Sequence, residues 1–292
     1  MTHKILIILI FHFILKLNAQ DSTRPAKFYT DTLSLLNKPS RITKKRPLSH
    51  QKDKSWSFQK ELSDEFNNRK LNYTKWFDTH PKWAGRKPSM AHPKNVSINK
   101  GELVLSINQA KNIKYKEGYT HNIGWVISKK SIKYGYLEMR AKLMDAPWVS
   151  CFWLYNWWYK DNWRTEIDIC ENNPGYVHNR NDLTSNLHVF SAPKDKGDVK
   201  KLISFGKKYF IPFELQKDYH IWGLEWNKDV IKWYIDGVLF RETPNKYWHQ
   251  DLHINFNSES NKWLQAFPDD KRLDKTYNID YIRVWKKKKI HK

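Results

Sequence analysis

The feature that most constrains the fold is a two-residue alternation of apolar and polar side chains within short segments. In Tyr136–Leu143 the apolar residues Leu137, Met139 and Ala141 alternate with charged ones such as Glu138. This period is typical of a strand with one buried face, because successive side chains of a strand point to opposite sides of the sheet. Similar alternation occurs in residues 102–107, 222–226, 231–235 and 278–285. No segment keeps a helical period over the length of an ordinary helix, so the sequence predicts an all-β chain.

Turn signals separate these segments. Asp236-Gly237, between Ile235 and Val238, is typical of a two-residue type I′ hairpin turn. No internal repeat is visible that would indicate a solenoid or a propeller. The 15 Trp, 15 Tyr and 14 Phe residues supply a large core and exclude disorder of the whole chain. Many short strands joined by turns therefore predict a β-sandwich or a β-barrel.

The N-terminal nineteen residues have the pattern of a signal peptide. Lys4 precedes the apolar run Ile5–Leu15, and Ala19 precedes the expected cleavage point. The run is too short to span a bilayer, so we expect cleavage and no membrane insertion, with a retained anchor as the weaker alternative. The mature protein is predicted to be secreted or periplasmic. Its two cysteines, Cys151 and Cys170, exclude a disulfide framework and leave open either a single bridge or two buried thiols.

Composition divides the rest of the chain into three parts. Residues 20–54 are rich in Ser, Thr, Pro and Lys and show no period, which predicts a linker or disordered leader. Residues 55–286 carry the alternating segments and are predicted to form one folded domain. Residues 287–292 are predicted to be a basic tail.

The net charge of +22 is concentrated in the terminal parts. The first nineteen residues carry +2, residues 20–54 carry +6 and residues 286–292 carry +5, which leaves +9 for residues 55–285. The folded part is therefore moderately basic, which favours an anionic partner. This charge is well below that of a dedicated nucleic-acid binder.

Three acidic residues stand out in the predicted strand Arg164–Glu171. Alternation places Glu166 and Asp168 on one face, although acidic residues are uncommon in strands and repel each other at close range. Glu171 has the opposite parity. A β-bulge around residues 169–170 would return it to the same face, and bulges often re-aim side chains at active sites. The sequence thus predicts three carboxyls on one wall.

Such a wall has the groups that a retaining glycosidase needs. One ionised carboxylate attacks the anomeric carbon, and a protonated carboxyl about 5 to 5.5 Å away donates a proton to the leaving oxygen. A third carboxyl between them, Asp168, can hold the orientation of Glu166, and the crowding of negative charge raises the proton affinity of the acid, Glu171. The alternative is a solvent-facing strand whose carboxylates pair with lysines and arginines. The aromatic residues on both sides of this segment favour the enzyme.

Several motifs resemble glycoside hydrolase family 16 over residues 56–286. They are Glu166-Ile-Asp-Ile-Cys-Glu171, Phe152-Trp153-Leu154, Ser185-Asn-Leu-His-Val-Phe190, the Gly223–Trp226 and Trp233–Gly237 hairpin, and Asp280–Trp285. The resemblance implies an all-β, concanavalin-like β-jelly-roll sandwich with an open substrate cleft on its concave sheet. It also implies that Glu166 is the nucleophile, Asp168 its helper and Glu171 the acid/base. The bulged spacing is similar to that of the branch containing laminarinases, agarases, porphyranases and carrageenases.

The substrate is predicted from two further segments. Trp83-Ala-Gly-Arg-Lys-Pro-Ser89 resembles the entry segment of agarases and porphyranases, in which Trp and Arg face the sugar chain. The laminarinase pattern W-P-A-x-W is absent, since the chain has Trp148-Val-Ser-Cys-Phe-Trp153. We therefore expect cleavage of β-1,4 galactosidic bonds in agarose or sulfated porphyran, with carrageenan or laminarin as the alternative substrate.

Seven side chains are predicted to contact the substrate: Trp83, Arg86, Trp153, Trp158, Arg164, His188 and Glu259. The two arginines are candidates for sulfate contacts, or alternatively neutralise the carboxyl cluster. The tryptophans offer flat faces to sugar rings; Trp158 belongs to the polar connection that also holds Trp157 and Trp163. His188 and Glu259 are assigned by resemblance. No metal spacing is present and no cofactor is expected, although a structural calcium is left open.

Two other classes of function compete with a hydrolase. A lectin-like jelly roll would bind polysaccharide without cutting it, but binding alone does not require three mutually repelling carboxyls. A nucleic-acid binder would use the basic tails, but an acidic cleft wall would repel phosphates. The expected partner is accordingly a polysaccharide, anionic or a galactan, bound by a monomer.

Overall fold

The computed structural model describes residues 44–110, 118–158, 162–174, 180–211, 213–260 and 270–288. Nineteen strands lie within these ranges: β1 (Trp56–Phe58), β2 (Trp76–Phe77), β3 (Ser89–Ala91), β4 (Val96–Asn99), β5 (Glu102–Leu105), β6 (Ile107–Gln109), β7 (His121–Ile123), β8 (Trp125–Ile132), β9 (Gly135–Lys142), β10 (Val149–Tyr155), β11 (Arg164–Asn172), β12 (Asp182–Ser191), β13 (Ile203–Ser204), β14 (Lys207–Phe210), β15 (His220–Trp226), β16 (Val230–Ile235), β17 (Val238–Pro244), β18 (Leu252–Glu259) and β19 (Tyr277–Lys287). Short 3-10 turns occur at Leu48–His50, Lys60–Leu62, Pro93–Asn95, Lys194–Lys196 and Asp270–Arg272.

The strands form two large antiparallel sheets and one small sheet. The back sheet has the order β17-β16-β15-β9-β19-β5-β4, with β1 also paired to β19. The cleft sheet has the order β13-β12-β11-β10-β18-β8-β2, with β14 also paired to β12. Strands β3, β7 and β6 form the small sheet. Neighbouring strands are often distant in sequence, as expected of a sandwich in which the chain crosses repeatedly between sheets.

The core lies between the two large sheets. Leu137, Met139 and Ala141 of β9 are fully buried, as their alternation predicts, and so are Trp222 and Trp226 of β15. The outer faces of the two sheets carry the polar residues. The outer face of the cleft sheet can therefore be lined by side chains that do not belong to the core. The predicted all-β sandwich is confirmed.

The Asp236-Gly237 hairpin is also confirmed. Both residues have positive φ, 50° and 82°, as a type I′ turn requires. The Asp236 carboxylate stabilises this geometry, because it accepts hydrogen bonds from the Ile221 amide at 2.8 Å and from His220 Nδ1 at 2.7 Å.

Residues 44–54 differ from the linker prediction, because they pack on the outer face of the back sheet. Trp285 Nε1 donates to the carbonyl of Lys44 at 2.9 Å, the Leu48 amide donates to the buried Glu138 carboxyl at 2.8 Å, and His50 Nε2 lies 2.9 Å from Glu225. These contacts are made by isolated residues that follow no hydrophobic period, so the sequence pattern does not predict them. Residues 1–43, with the predicted signal peptide, lie outside the described ranges.

The C-terminal end also differs slightly from its predicted boundary. Lys287, assigned to the basic tail, ends β19 and places Nζ 4.2 Å from the Trp56 ring centroid. Cys151 and Cys170 are free and buried. No helix in the described part of the chain has the length and apolar character needed to cross a membrane.

Candidate active site

A cleft of about 660 Å³ lies over the free face of the cleft sheet. Its floor comes from strands β10, β11 and β12, and its walls include Trp83 and Arg86 from the segment before β3. Glu166, Asp168 and Glu171 all line it. The structure therefore brings the three predicted carboxyls together on one surface.

A bulge in β11 produces this arrangement. Tyr155, Trp153 and Cys151 of β10 pair with Glu166, Asp168 and Glu171 of β11. The two-residue step from Trp153 to Cys151 therefore lies opposite a three-residue step from Asp168 to Glu171. The pairing of β11 with β12 shifts at the same place, between Asp168 and Glu171. One residue of β11 is thereby absorbed, and Glu171 faces the cleft. The predicted bulge is confirmed.

Two indole groups from beneath the sheet hold the backbone of this strand. Trp233 Nε1, on β16, donates to the carbonyl of Asp168 at 3.0 Å, next to the bulge. Trp248 Nε1 donates to the carbonyl of Glu166 at 2.8 Å. A bulge locally disrupts the backbone hydrogen bonds between strands, and a buried indole N–H needs an acceptor. Each indole therefore supplies a donor to a backbone carbonyl, which in turn serves as the acceptor of the indole. The sequence signals Trp233 only as a core residue, because nothing in its own strand indicates the acceptor.

Burial and negative neighbours govern the charge of the carboxyls. Burial, followed by the charges of Asp168 and Glu171, raises the pKa of Glu166 well above its usual value, and Asp168 is also hydrogen-bonded to it. Burial, followed by Asp168 and Glu259, raises the pKa of Glu171 well above its usual value. The cluster therefore retains a proton to higher pH than isolated carboxyls would, and that proton belongs to the group of acids as a whole.

His188 lies beside the carboxyls from the neighbouring strand β12. Its Nε2 is 3.2 Å from Asp168 Oδ2 and 3.8 Å from Glu166 Oε1, while Nδ1 is 2.7 Å from the Ser204 hydroxyl. Ser204 belongs to the edge strand β13 and also lines the cleft. No sequence signal identifies Ser204, because only the pairing of β13 with β12 brings it to His188.

The atoms of Glu166, Asp168 and His188 that could bind a metal lie within 4.8 Å of one another. This set does not fit a structural calcium, which takes six to eight oxygen ligands and not an imidazole nitrogen. This cluster is therefore not a calcium site, and the expectation for a structural calcium stays a prediction.

Arg86 provides positive charge at the opposite wall of the cleft. Its Nε is 3.7 Å from Glu259 Oε2, and its side chain is about half exposed. Gly85, with φ of 113°, makes the turn that positions it, and a Cβ there would lie 2.8 Å from the carbonyl oxygen of Ser89. Glu259 first, with smaller effects from Glu166 and Glu171, raises the pKa of Arg86. Arg86 thus balances part of the cleft's negative charge.

Aromatic rings line the end of the cleft beyond the carboxyls. The lining includes Trp83 and Trp153, Trp157 from the predicted polar connection, and Trp125, which the sequence did not single out. The indoles of Trp153 and Trp157 donate to Asn257 and Asn255 at 2.7 and 2.9 Å, which fixes their orientation. Trp158 lies just outside this lining and is 42% exposed.

Arg164 is not brought to the cleft. The pairing of β11 with β12 shifts between Arg164 and Thr165, so Arg164 pairs with Ser191 while Thr165 pairs with Val189. Arg164 Nε donates to the Ser191 hydroxyl at 3.2 Å. Arg164 alternates with Glu166 along β11, because the extra residue at this shift, Phe190, belongs to β12, but Arg164 is not among the residues that line the cleft. The proposed sulfate contact of Arg164 is therefore not supported by its position.

Comparisons with known proteins agree with this geometry. Residues 56–287 match the family model described as "Beta-porphyranase A-D, GH16 domain". The chain is 28% identical over 259 residues to β-porphyranase B of Zobellia galactanivorans, covering 80% of this chain and 86% of that protein. It is 26% identical over 300 residues to κ-carrageenase of Pseudoalteromonas carrageenovora, covering 88% of this chain and 71% of that protein.

A solved structure also matches the fold. The crystal structure of porphyranase B from Zobellia galactanivorans superposes with a TM-score of 0.72 at 24% identity, covering 84% of this chain and 99% of that one. This likeness shows the jelly-roll fold that the motifs implied. Taken with the family model, it shows that the chain belongs to glycoside hydrolase family 16, within the group of β-porphyranase A–D domains.

Proposed function

We propose that the protein is a retaining endo-glycoside hydrolase that cuts β-1,4 galactosidic bonds of a red-algal galactan, agarose or sulfated porphyran. The observation that carries the proposal is the bulge in β11, because it places Glu166, Asp168 and Glu171 together in one open cleft. A cleft of this kind lets a polysaccharide lie across the sheet and be cut within the chain. A lectin would have no use for a buried cluster of acids whose mutual repulsion costs stability.

The proposed reaction is a double displacement. Glu166 attacks the anomeric carbon while Glu171 donates its proton to the leaving oxygen, so the glycosidic bond breaks and a glycosyl–Glu166 ester forms. Glu171, now ionised, takes a proton from water, whose oxygen displaces Glu166 and returns both residues to their starting state. The pKa of both Glu166 and Glu171 is raised, so the cluster holds the proton that Glu171 donates, while Glu166 reacts in its ionised form. Asp168, hydrogen-bonded to Glu166, holds the nucleophile in place.

The choice of galactan is supported by the family and by the entry segment. The family model and several relatives are named for porphyran, and the Trp83 and Arg86 side chains line the cleft as in the predicted agarase-like and porphyranase-like pattern. Arg86 is a donor suited to a sulfate ester. Carrageenan is the second candidate, because a κ-carrageenase also matches most of this chain.

The test combines two substitutions with product profiling. Glu166→Gln and Glu171→Gln should each lower kcat by at least about a thousandfold, because each removes a group that acts on the reacting atoms, while oligosaccharide binding persists. Wild-type protein is incubated with agarose, porphyran, carrageenans and laminarin, and the anomer first released is read by NMR. Near wild-type turnover of Glu166→Gln, or release of the inverted anomer, contradicts the mechanism. Products from carrageenan or laminarin alone contradict the galactan assignment.

We also propose that the protein acts outside the cytoplasm, as a secreted or periplasmic enzyme. The support is the pattern of residues 1–19. Cell fractionation with N-terminal sequencing of the mature protein tests this: a chain beginning at Gln20 outside the cytoplasm is expected, and a cytoplasmic chain that keeps Met1 contradicts it.

A further inference from the structure

A group of partly and fully exposed side chains continues the aromatic wall past the end of the cleft. We call it the outer platform and define it by Phe77, His80, Lys129, Trp158 and His253. Trp158 is 42% exposed, although its ring contacts His253 at a centroid distance of 4.4 Å and Phe77 at 6.0 Å. A tryptophan held by other rings and left this open to solvent is typical of a binding surface.

The outer platform lies on the same face of the sheet as the cleft. Phe77 on β2 pairs with Ile127 on β8, and Ile127 pairs with Asn255 on β18. Paired residues of neighbouring strands share a face. Asn255 Oδ1 accepts the indole hydrogen bonds of the cleft residues Trp125 and Trp157. Phe77, on the edge strand β2, therefore lies on the same face of the sheet as the cleft.

His80 joins the outer platform to the cleft without a gap. Its ring centroid is 4.1 Å from that of Trp157, which lines the cleft. On its other side it stacks on Trp158, with centroids 6.2 Å apart and an interplanar angle of 18°. A sugar chain leaving the cleft over Trp157 would thus meet the Trp158 ring next.

Lys129 gives the outer platform a positive charge that the described residues do not neutralise. Its Nζ lies 4.7 Å from the centroid of the Phe77 ring, and no carboxylate of the described residues pairs with it. The adjacent Lys130 differs, because its Nζ is 3.1 Å from Glu61. Lys129 is also held at its backbone, where its amide donates to the carbonyl of Lys75 at 2.7 Å. The Phe77 ring thus contacts both the Lys129 ammonium and the exposed Trp158 indole, and this combination matches a sugar residue that carries an anionic group.

We propose that the outer platform is an additional subsite that binds a sulfated sugar residue of the substrate chain, beyond the sugars held in the cleft. Trp158 takes the ring of that residue by stacking, and Lys129 pairs with its sulfate. This inference rests on the proposed function, because it assumes that a galactan occupies the cleft. It gives the enzyme a preference for long sulfated chains that the cleft alone does not require.

The experiment measures Kd by calorimetry in the Glu166→Gln background, in which bound chains are not cut. The ligands are short and long oligosaccharides from porphyran, which is sulfated, and from agarose, which is not. Lys129→Ala should weaken binding of the long porphyran oligosaccharide by about three- to fivefold and leave the short ones and agarose unchanged. Trp158→Ala should weaken both long ligands by about fivefold. Lys130→Ala is the matched control and should change neither.

Equal Kd values for Lys129→Ala and its parent on the long porphyran ligand would overturn the inference. So would an equal loss on the short and long ligands, or an equal effect of Lys130→Ala. Thermal melting of each variant checks that the fold is kept. If the parent binds none of these oligosaccharides, both the proposed function and this inference are wrong. If the parent binds them without the dependence on length and sulfate, only this inference is wrong.

Discussion

Replacing Trp233 by Phe tests how the back sheet supports the catalytic strand. The indole of Trp233 is fully buried and donates to the carbonyl of Asp168 at 3.0 Å. Phe keeps an aromatic face for Arg241, whose guanidinium lies 4.3 Å from the Trp233 ring centroid, but it removes the donor. The carbonyl beside the bulge then loses this buried donor, which costs about 1–3 kcal/mol in addition to the lost volume.

Trp222→Phe is the matched control for this substitution. Trp222 lies on the adjacent strand β15 and is equally buried, but its Nε1 has no hydrogen-bond partner among the described residues. Both variants lose the same atoms, so the difference between their free energies of unfolding isolates the hydrogen bond. We expect Trp233→Phe to be the less stable by about 1–3 kcal/mol in urea denaturation.

The two variants should also differ in activity. Release of the Asp168 backbone lets its carboxyl drift from Glu166, and a small misplacement at the reacting atoms can cost about a hundredfold in rate. We therefore expect Trp233→Phe to lower kcat by about tenfold or more with little change in KM, whereas Trp222→Phe keeps kcat. Equal stability and equal kcat in the two variants would refute the idea that the indole positions the bulge.

Three other predictions address polar and ionisable groups, two of them in the cleft and one on the back sheet. Arg86→Ala should lower kcat/KM on porphyran more than on agarose, and it should move the alkaline limb of the pH–rate profile upward, because Arg86 lowers the pKa of Glu171; equal losses on both galactans would contradict the sulfate contact. Ser204→Ala should lower kcat by about fivefold without changing the melting temperature, because it frees His188 Nδ1 at an exposed edge strand; an unchanged kcat would show that Ser204 does not position His188. Glu138 is buried, and this burial raises its pKa from 4.5 to about 7, so the folded chain binds the proton more tightly than the unfolded chain. Its contribution to stability is therefore full below about pH 4.5 and declines as the pH rises through 7. Relative to Glu138→Gln, the wild type should lose about 3 kcal/mol of unfolding free energy from pH 4 to pH 8, and parallel pH curves for the two proteins would contradict this.

The sequence predicts the fold and the three acids because each leaves a local trace. Alternation in β9 and β15 gives the buried faces, and the parity break at Glu171 is visible in the spacing itself. The sequence also predicts the bulge, because Glu171 can share a face with Glu166 and Asp168 only if one intervening residue is absorbed.

Arg164 and Ser204 show what the sequence does not reveal. Alternation along β11 does not reveal that Arg164 lies outside the cleft lining and donates a hydrogen bond to Ser191 of β12. Ser204 reaches His188 through a pairing between short edge strands, and contacts of this kind depend on topology rather than on period. Residues 44–54 were assigned to a linker for a similar reason, because their contacts come from single residues.

This N-terminal segment has a practical consequence. The Leu48 amide satisfies the buried Glu138, and His50 stacks on Trp56 with ring centroids 5.5 Å apart, above Tyr136 and Tyr234. A recombinant chain trimmed to start at Trp56, where the family match begins, would expose the Glu138 carboxyl to water and would leave an apolar aromatic surface uncovered. Such a protein should self-associate in solution, so purification tags are better joined upstream of Lys44.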